Sequence, residues 1–158
     1  MTQAHEVSQS VRAVLLTPTG SVLLMKIAGW KGDLWITPGG RIQSGETPRD
    51  ALIREIGEET GFTGFQPSTE IWVRHAAFVV DGETKQERER FYLVPSAPFE
   101  PEVSNLEPDE RAVFREFRWW PVEEIVRSSE RFAPRRLGEF LLTLQRDGPP
   151  NAPIETGE

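Results

Sequence analysis

Between Thr47 and Gly61 the sequence carries both ends of a helix and an unusual charge pattern inside it. Thr47 reads as an N-cap, Pro48 suits the first helical position, and Asp50 serves as a short version of the capping-box acid. Gly61 supplies the left-handed residue that closes a helix, so a helix is predicted over about 48–60, with Ala51, Leu52 and Ile56 as its apolar stripe. Within it Glu55, Glu58 and Glu59 stand at i, i+3 and i+4 and project onto one side. Like charges at that spacing repel, and near a helix C-terminus the macrodipole disfavours them again. A divalent cation would reverse both penalties. Hard oxygen ligands about one turn apart suit Mg²⁺ or Mn²⁺, with positions left for water and a substrate phosphate. Gly57 costs about 1 kcal/mol relative to Ala in mid-helix, which a close neighbouring backbone would explain. Taken alone, such a cluster would read as a solvated acidic face with an ordinary Arg54–Glu58 pair.

The flanking sequence is mostly strand. Val11–Thr17 and Ser21–Ile27 form a hairpin about Pro18-Thr19-Gly20, and Leu34–Ile36 is a third short strand, ended by Thr37-Pro38-Gly39-Gly40. Glu70–Val80 and Lys85–Val94 flank Asp81-Gly82, a hairpin dipeptide. On the second of these, period-two alternation places Glu87, Glu89 and Phe91 on one face and Arg88, Arg90 and Tyr92 on the other. Phe114–Trp120 is a further strand ended by Pro121, with Trp119 and Trp120 on opposite faces. Leu137, Phe140, Leu141 and Leu144 mark an amphipathic helix over 135–146. Strands, helix, strands, helix give an α+β chain with helices on both faces of a mixed sheet. One domain is expected over 1–147, with a frayed, Pro-rich and acidic tail over 148–158.

Composition narrows the chemistry. The 158 residues hold no cysteine, which removes thiolate metal sites, thiol nucleophiles and disulfides and suits a reducing cytoplasm. With only His5 and His75, a histidine-rich zinc centre is nearly excluded. The net charge of −7 argues against a general nucleic-acid polymer binder and requires local cations or a metal if the ligand is an anion. No apolar run reaches the length of a membrane span and Met1–Ser10 does not read as a signal peptide, so a soluble cytoplasmic protein is expected. Gly39-Gly40 fits neither the dinucleotide fingerprint nor the P-loop.

Counting along the chain, Gly40 is followed by five residues and Glu46, then by seven residues and Arg54-Glu55-Ile56-Gly57-Glu58-Glu59-Thr60-Gly61-Phe62. This resembles the Nudix box, in which seven positions each demand one residue type, here Gly40, Glu46, Arg54, Glu55, Glu58, Glu59 and Gly61. At ordinary residue frequencies a chance match at one start is on the order of 10⁻⁸. Phe62 departs from the pattern, being aromatic where an aliphatic is usual. Trp35–Gly40, Arg118–Pro121 and Glu123-Glu124 are also similar to the family, and most of Val11–Arg146 can be accommodated in its fold, an α/β/α sandwich around a mixed sheet.

The resemblance implies metal-dependent hydrolysis of a nucleoside diphosphate linked to another group. It implies Glu55, Glu58, Glu59 and the Gly39 carbonyl as metal ligands, Arg54 as the residue that orients the carboxylates, and Glu46 as a partner closing the loop on the helix. Gly40 and Gly61 are structural. For the general base Glu110 is favoured slightly over Glu107 and Glu89, with a helix glutamate also open. Arg41, Arg74 and Lys26 are candidate phosphate contacts, although isolated basic residues on strands are more often solvated, and Trp30 or Trp35 could meet a base, although buried packing is the commoner fate of a tryptophan. Neither the Tyr nor the Pro that marks some subfamilies occurs around Trp72–Ala77, which favours a (d)NTP pyrophosphohydrolase and leaves nucleotide sugars open, with ADP-ribose and dinucleoside polyphosphates less favoured. The alternative from another class is a non-catalytic nucleotide sensor or scaffold. A homodimer would be unsurprising.

Overall fold

The computed structural model describes residues 7–29, 31–103 and 105–157, with the backbone alone at Phe78 and Val80; the readings of His5 and Trp30 fall outside the described residues. Strands β1 (Val7–Leu16), β2 (Ser21–Gly29), β3 (Gly32–Ile36) and β4 (Gly39–Arg41) precede helix α1 (Pro48–Thr60). Strands β5 (Glu70–Val80) and β6 (Glu83–Pro95), helix α2 (Pro108–Val113) and strand β7 (Phe114–Pro121) follow. Helix α3 (Val122–Arg127), β8 (Phe132–Ala133), α4 (Leu137–Asp147) and β9 (Ile154–Glu155) complete the chain.

All the strands belong to one mixed sheet in the order β8-β3-β2-β1-β6-β5-β9, with β4 on β1 and β7 on β2. Helix α1 covers one face, over Val11, Ala13, Leu15, Leu23, Tyr92 and Val94. Helices α3 and α4 cover the other, over Val14, Val22, Leu24, Trp35, Trp72, Phe91 and Trp120. The alternation of Val11, Ala13 and Leu15 against Val14 along β1 is the period of two expected of a strand buried on both faces. Trp119 and Trp120 do split between the faces, but Trp119 is half-buried, donating from Nε1 to the Phe99 carbonyl at 2.8 Å and packing edge-on against that ring.

A split in this sheet makes the site. β1 and β2 meet at Leu16 and Val22 beside the Thr17–Gly20 turn and then part. Ser10–Arg12 pair with β4 instead, while Met25–Gly29 pair with β3. Gly39-Gly40 end the preceding strand as expected and then pair with β1 as β4, a short strand that the sequence does not mark and that the close approach of a Gly-Gly pair allows. The Asp81-Gly82 turn has positive φ at both residues (52° and 79°), as a tight hairpin requires.

The segment after Gly148, expected to fray, is ordered through β9. Ile154 and Glu155 pair in parallel with Trp72 and Val73, and the Thr156 amide donates to the Val73 carbonyl at 2.9 Å. The edge of β5 offers unpaired backbone groups, and the tail satisfies them regardless of its polar composition. No described helix is long and apolar enough to cross a membrane.

Helix α1 begins and ends as predicted. The Asp50 amide donates to Thr47 Oγ1 at 3.1 Å, and Gly61, at φ 77°, donates to the Gly57 carbonyl at 3.0 Å. Phe62 stacks on Phe65 and Phe99 at 5.0 and 4.6 Å between ring centres, so the aromatic substitution extends the core under the helix end. Gly57 corrects an expectation, since no backbone crowds it. A Cβ there would meet the Thr63 methyl at 3.6 Å and the Phe62 carbonyl at 3.9 Å, both ordinary contacts. Gly57→Ala is therefore expected to stabilise the protein by about 1 kcal/mol, seen as a melting temperature higher by about 2–4 °C. A lower melting temperature would show that Gly57 does more than occupy the helix.

Candidate metal and phosphate site

The first turn of construction is the loop between β4 and α1. Glu46 turns back on it, accepting from the Gln43 amide at 2.8 Å. Arg54 meets the same carboxylate with two parallel bonds, Nε to Oε2 at 2.7 Å and Nη2 to Oε1 at 2.8 Å, the geometry in which a guanidinium binds most strongly. That pairing, reinforced by the Gln43 amide, pulls the Glu46 pKa down to about 2. Arg54 also donates to Glu55 at 2.9 Å, to Glu58 at 3.3 Å and to the Arg41 carbonyl at 3.1 Å. One guanidinium thus ties loop to helix and turns Glu55.

Two glycines bring the loop against the helix. Gly39 has φ +155°, and a Cβ on it would lie 1.9 Å from the Val11 carbonyl oxygen. Its amide donates to Glu59 at 2.9 Å. A Cβ on Gly40 would lie 2.4 Å from the Glu55 carboxyl carbon. Both positions need glycine because another group already occupies the space.

Glu110, on α2, completes the cluster from a distant part of the chain. Glu55, Glu59 and Glu110 each offer a carboxylate oxygen within 4.8 Å of the other two. Glu110 is held by the Glu107 amide at 3.3 Å. Glu59 is only 2% exposed, and burial, with the neighbouring Glu110, drives its pKa well above the carboxylate range despite Arg12 and the Gly39 amide. Burial also raises Glu55, against the pull of Arg54. Three carboxylates crowded into a partly desolvated place are stable as anions only with a cation among them. All the donors are hard oxygens, so the set fits a divalent cation such as Mg²⁺ or Mn²⁺.

The cluster lies on a cleft of about 450 Å³ at the sheet split, between Ser10 and Arg12 of β1, Met25 and Ile27 of β2, Ile36, Gly39–Arg41 and α2. This volume is in the range of small-molecule sites. Arg41 and Glu107 line it as well. Glu58 stands apart from the trio, with its side chain 40% exposed and paired with Arg54, the ordinary i, i+4 arrangement.

Other expected contacts fall elsewhere. Trp35 is buried at 2% exposure, edge-on to Trp120 and bonded through Nε1 to Glu130 at 3.0 Å, so it is core and not a substrate surface. Lys26 lies between Met25 and Ile27, which face the cleft, and by alternation points away from it, 3.8 Å from both Asp33 and Glu130. Glu89, the candidate base on β6, is engaged by two cations. It accepts from Arg12 at 2.7 Å and from Arg74, and although burial opposes them these two cations hold its pKa below the usual value. His75 is exposed, paired with Glu155 at 2.7 Å.

Sequence reasoning missed Arg12. It lines the cleft, lies close enough to Glu59 to stabilise that carboxylate, and donates to the Thr37 carbonyl at 3.2 Å. A single arginine inside the apolar run Val11–Leu16 was the available signal, because a charge in a buried strand requires a partner.

A split mixed sheet that sets a glutamate-bearing helix against a Gly-Gly loop defines the class as a Nudix fold. The chain belongs to the NUDIX domain family, whose model matches residues 7–142. It is 34% identical over 114 residues to the m7GpppN-mRNA hydrolase dcap-2 of Caenorhabditis elegans, covering 72% of this chain and 13% of that protein. A relative from Mycobacterium tuberculosis, 32% identical over 128 residues, is matched over 47% of its length. The chain thus spans less than half of either protein. It is 29% identical over 161 residues to the RNA pyrophosphohydrolase of Yersinia pestis (strain Pestoides F), covering 91% of this chain and 90% of the relative. Among solved structures, the MutT protein from Methanosarcina mazei Go1 superposes with a TM-score of 0.66 at 19% identity, covering 92% and 98% of the two chains. A Caenorhabditis elegans Ap4A hydrolase does so at 0.55 and 16%, covering 89% and 96%. At these identities the likeness is one of fold.

Proposed function

We propose that the chain is a divalent-metal-dependent pyrophosphohydrolase that cleaves a nucleoside diphosphate linked to another group, with nucleoside triphosphates as its first substrate class. The observation that carries this reading is the convergence of Glu55, Glu59 and Glu110 within 4.8 Å on an open cleft. Glu55, Glu59 and Glu110 would hold the ion, with the Gly39 carbonyl beside them. A bound Mg²⁺ or Mn²⁺ would supply charge neutralisation of the diphosphate and acidification of a water. The protein's own work is positioning. Arg54 holds Glu55, the Gly39 amide holds Glu59, and the short α2 brings in Glu110, whose carboxylate oxygen left free by the ion would accept a proton from an attacking water. Arg41, exposed on the rim, is a cation for the phosphates that remain.

The near full-length likeness to a protein named RNA pyrophosphohydrolase supports a second reading, in which the phosphate chain removed is that at the 5′ end of an RNA. Products should be separated and quantified by chromatography, as phosphate or pyrophosphate from (d)NTPs and a 5′-triphosphorylated oligonucleotide, and as the two phosphorylated fragments from dinucleoside polyphosphates, ADP-ribose and nucleotide sugars, each with Mg²⁺ or Mn²⁺. The reading predicts metal-dependent turnover of a 5′-triphosphate substrate. Nucleotide-dependent stabilisation with no turnover of any substrate would instead identify a sensor.

A further inference from the structure

A second groove opens from the acidic cleft on the side of β3 and β5. Arg12, Ile27, Ile36 and Glu87 line both, so the two are continuous. The groove leads on into a hollow of about 480 Å³ walled by Lys31, Arg74, Arg131 and Arg135. Its wall holds more basic than acidic side chains. Glu89 is shared by two guanidiniums, those of Arg12 and Arg74, and Glu87 stands on the same groove near Arg12, so the excess of cations over carboxylates lies farther out, in the hollow, where Arg131 and Arg135 join Arg74. Arg74 keeps a buried Nε without an acceptor. Glu130, the carboxylate on the same wall, is engaged by the Trp35 indole and lies 3.8 Å from Lys26. Arg131 and Arg135 are exposed at the rim. In a chain of net charge −7, a hollow walled by four basic residues next to an acidic metal site is a selective feature: it attracts anions that the rest of the surface repels.

We infer that this groove is an anion subsite that holds a phosphate group of the substrate other than the one attacked. The inference rests on reading the acidic cleft as the hydrolytic site. Two sources share this chemistry, the far phosphate of a nucleotide's own 5′ chain and the first internucleotide phosphate of an oligonucleotide.

The first arm of the test needs no turnover. Inorganic tripolyphosphate is titrated by calorimetry in EDTA, so that only protein cations bind it, into the unaltered chain, the Arg131→Gln/Arg135→Gln variant and a control of equal charge change, Arg115→Gln/Arg146→Gln. All four positions are exposed, so the folds should survive. Loss of two charge-assisted contacts should weaken binding about tenfold or more in the first variant only. Equal affinity in all three proteins, or an equal loss in both variants, would overturn the inference. The second arm measures kcat and KM on a nucleoside triphosphate, a nucleoside diphosphate and a 5′-triphosphorylated dinucleotide. A KM increase of about tenfold for both triphosphates but not the diphosphate identifies the 5′ chain as the occupant. An increase confined to the dinucleotide identifies the internucleotide phosphate. A uniform fall in kcat on all three, with KM unchanged, would contradict a binding subsite. Absence of turnover by the unaltered chain would defeat the hydrolytic reading and leave the calorimetric arm to decide the groove.

Discussion

Glu59→Gln is expected to lower kcat by about three orders of magnitude, the equivalent of ~4 kcal/mol of transition-state stabilisation, while making the metal-free protein more stable. The two effects share one cause. Glu59 is a buried carboxylate beside Glu110, raised well above its ordinary pKa by burial first. The amide is isosteric and still accepts the Gly39 N–H, but it brings no charge into the interior. Because the folded state binds the Glu59 proton more tightly than the unfolded chain, the metal-free protein should lose stability as pH rises from the unfolded value near 4.5 toward the raised folded value. Glu59→Gln should flatten that slope. Saturation with Mn²⁺ at a hundred times its dissociation constant would stabilise the unaltered protein by ~2.7 kcal/mol, or about 5–10 °C in melting temperature, and the variant far less. Scanning calorimetry from pH 4 to 8, with EDTA and with Mn²⁺, measures all of this. A variant less stable than the unaltered protein in EDTA would show that Glu59 is a structural group.

Gly39→Ala and Gly40→Ala should fail in different ways. At Gly39 the added carbon would meet backbone, the Val11 carbonyl oxygen at 1.9 Å, at a positive φ that side chains rarely adopt. β4 would have to leave β1, removing the pairing of Ser10–Arg12. A loss of roughly 3–5 kcal/mol is expected, a large part of the ~5–15 kcal/mol that a domain possesses. At Gly40 the obstacle is the end of a side chain, the Glu55 carboxylate at 2.4 Å, which can swing away. That variant should keep most of its stability, losing about 1–2 kcal/mol, and lose activity because Glu55 no longer meets Glu59 and Glu110. Urea unfolding and turnover measured on both variants separate the two cases. Equal stability losses would mean that the two glycines serve the loop alone.

The contrast between α1 and α2 shows where sequence legibility stops. Helix α1 was readable end to end because its caps, its apolar stripe and its charge pattern are all local, and Glu46, Arg54 and the two glycines follow at fixed spacings. Glu110 was favoured among the candidate bases, yet nothing local distinguishes it from Glu107. Its meeting with Glu55 and Glu59 depends on how the chain after β6 returns across the split sheet. β4, β8 and β9 are three or two residues long and exist only as partners of other strands, so no periodicity marks them. Trp35 and Lys26 could have been placed by alternation along β2 and β3 once the cleft side was known, and that side is a property of the packed sheet. Arg12 was visible as a charge in an apolar strand, but two of its acidic neighbours, Glu89 and Glu59, lie 77 and 47 positions away in the sequence.

The central claim is that Glu55, Glu59 and Glu110 form one divalent-cation site on the cleft. Its most direct test is equilibrium binding of Mn²⁺, followed by loss of the free-ion electron paramagnetic resonance signal, for the unaltered protein and for Glu55→Gln, Glu59→Gln and Glu110→Gln separately. The account predicts saturable binding that each substitution weakens, including the one on α2. Binding undiminished in all three variants, or no binding by the unaltered protein, would contradict it.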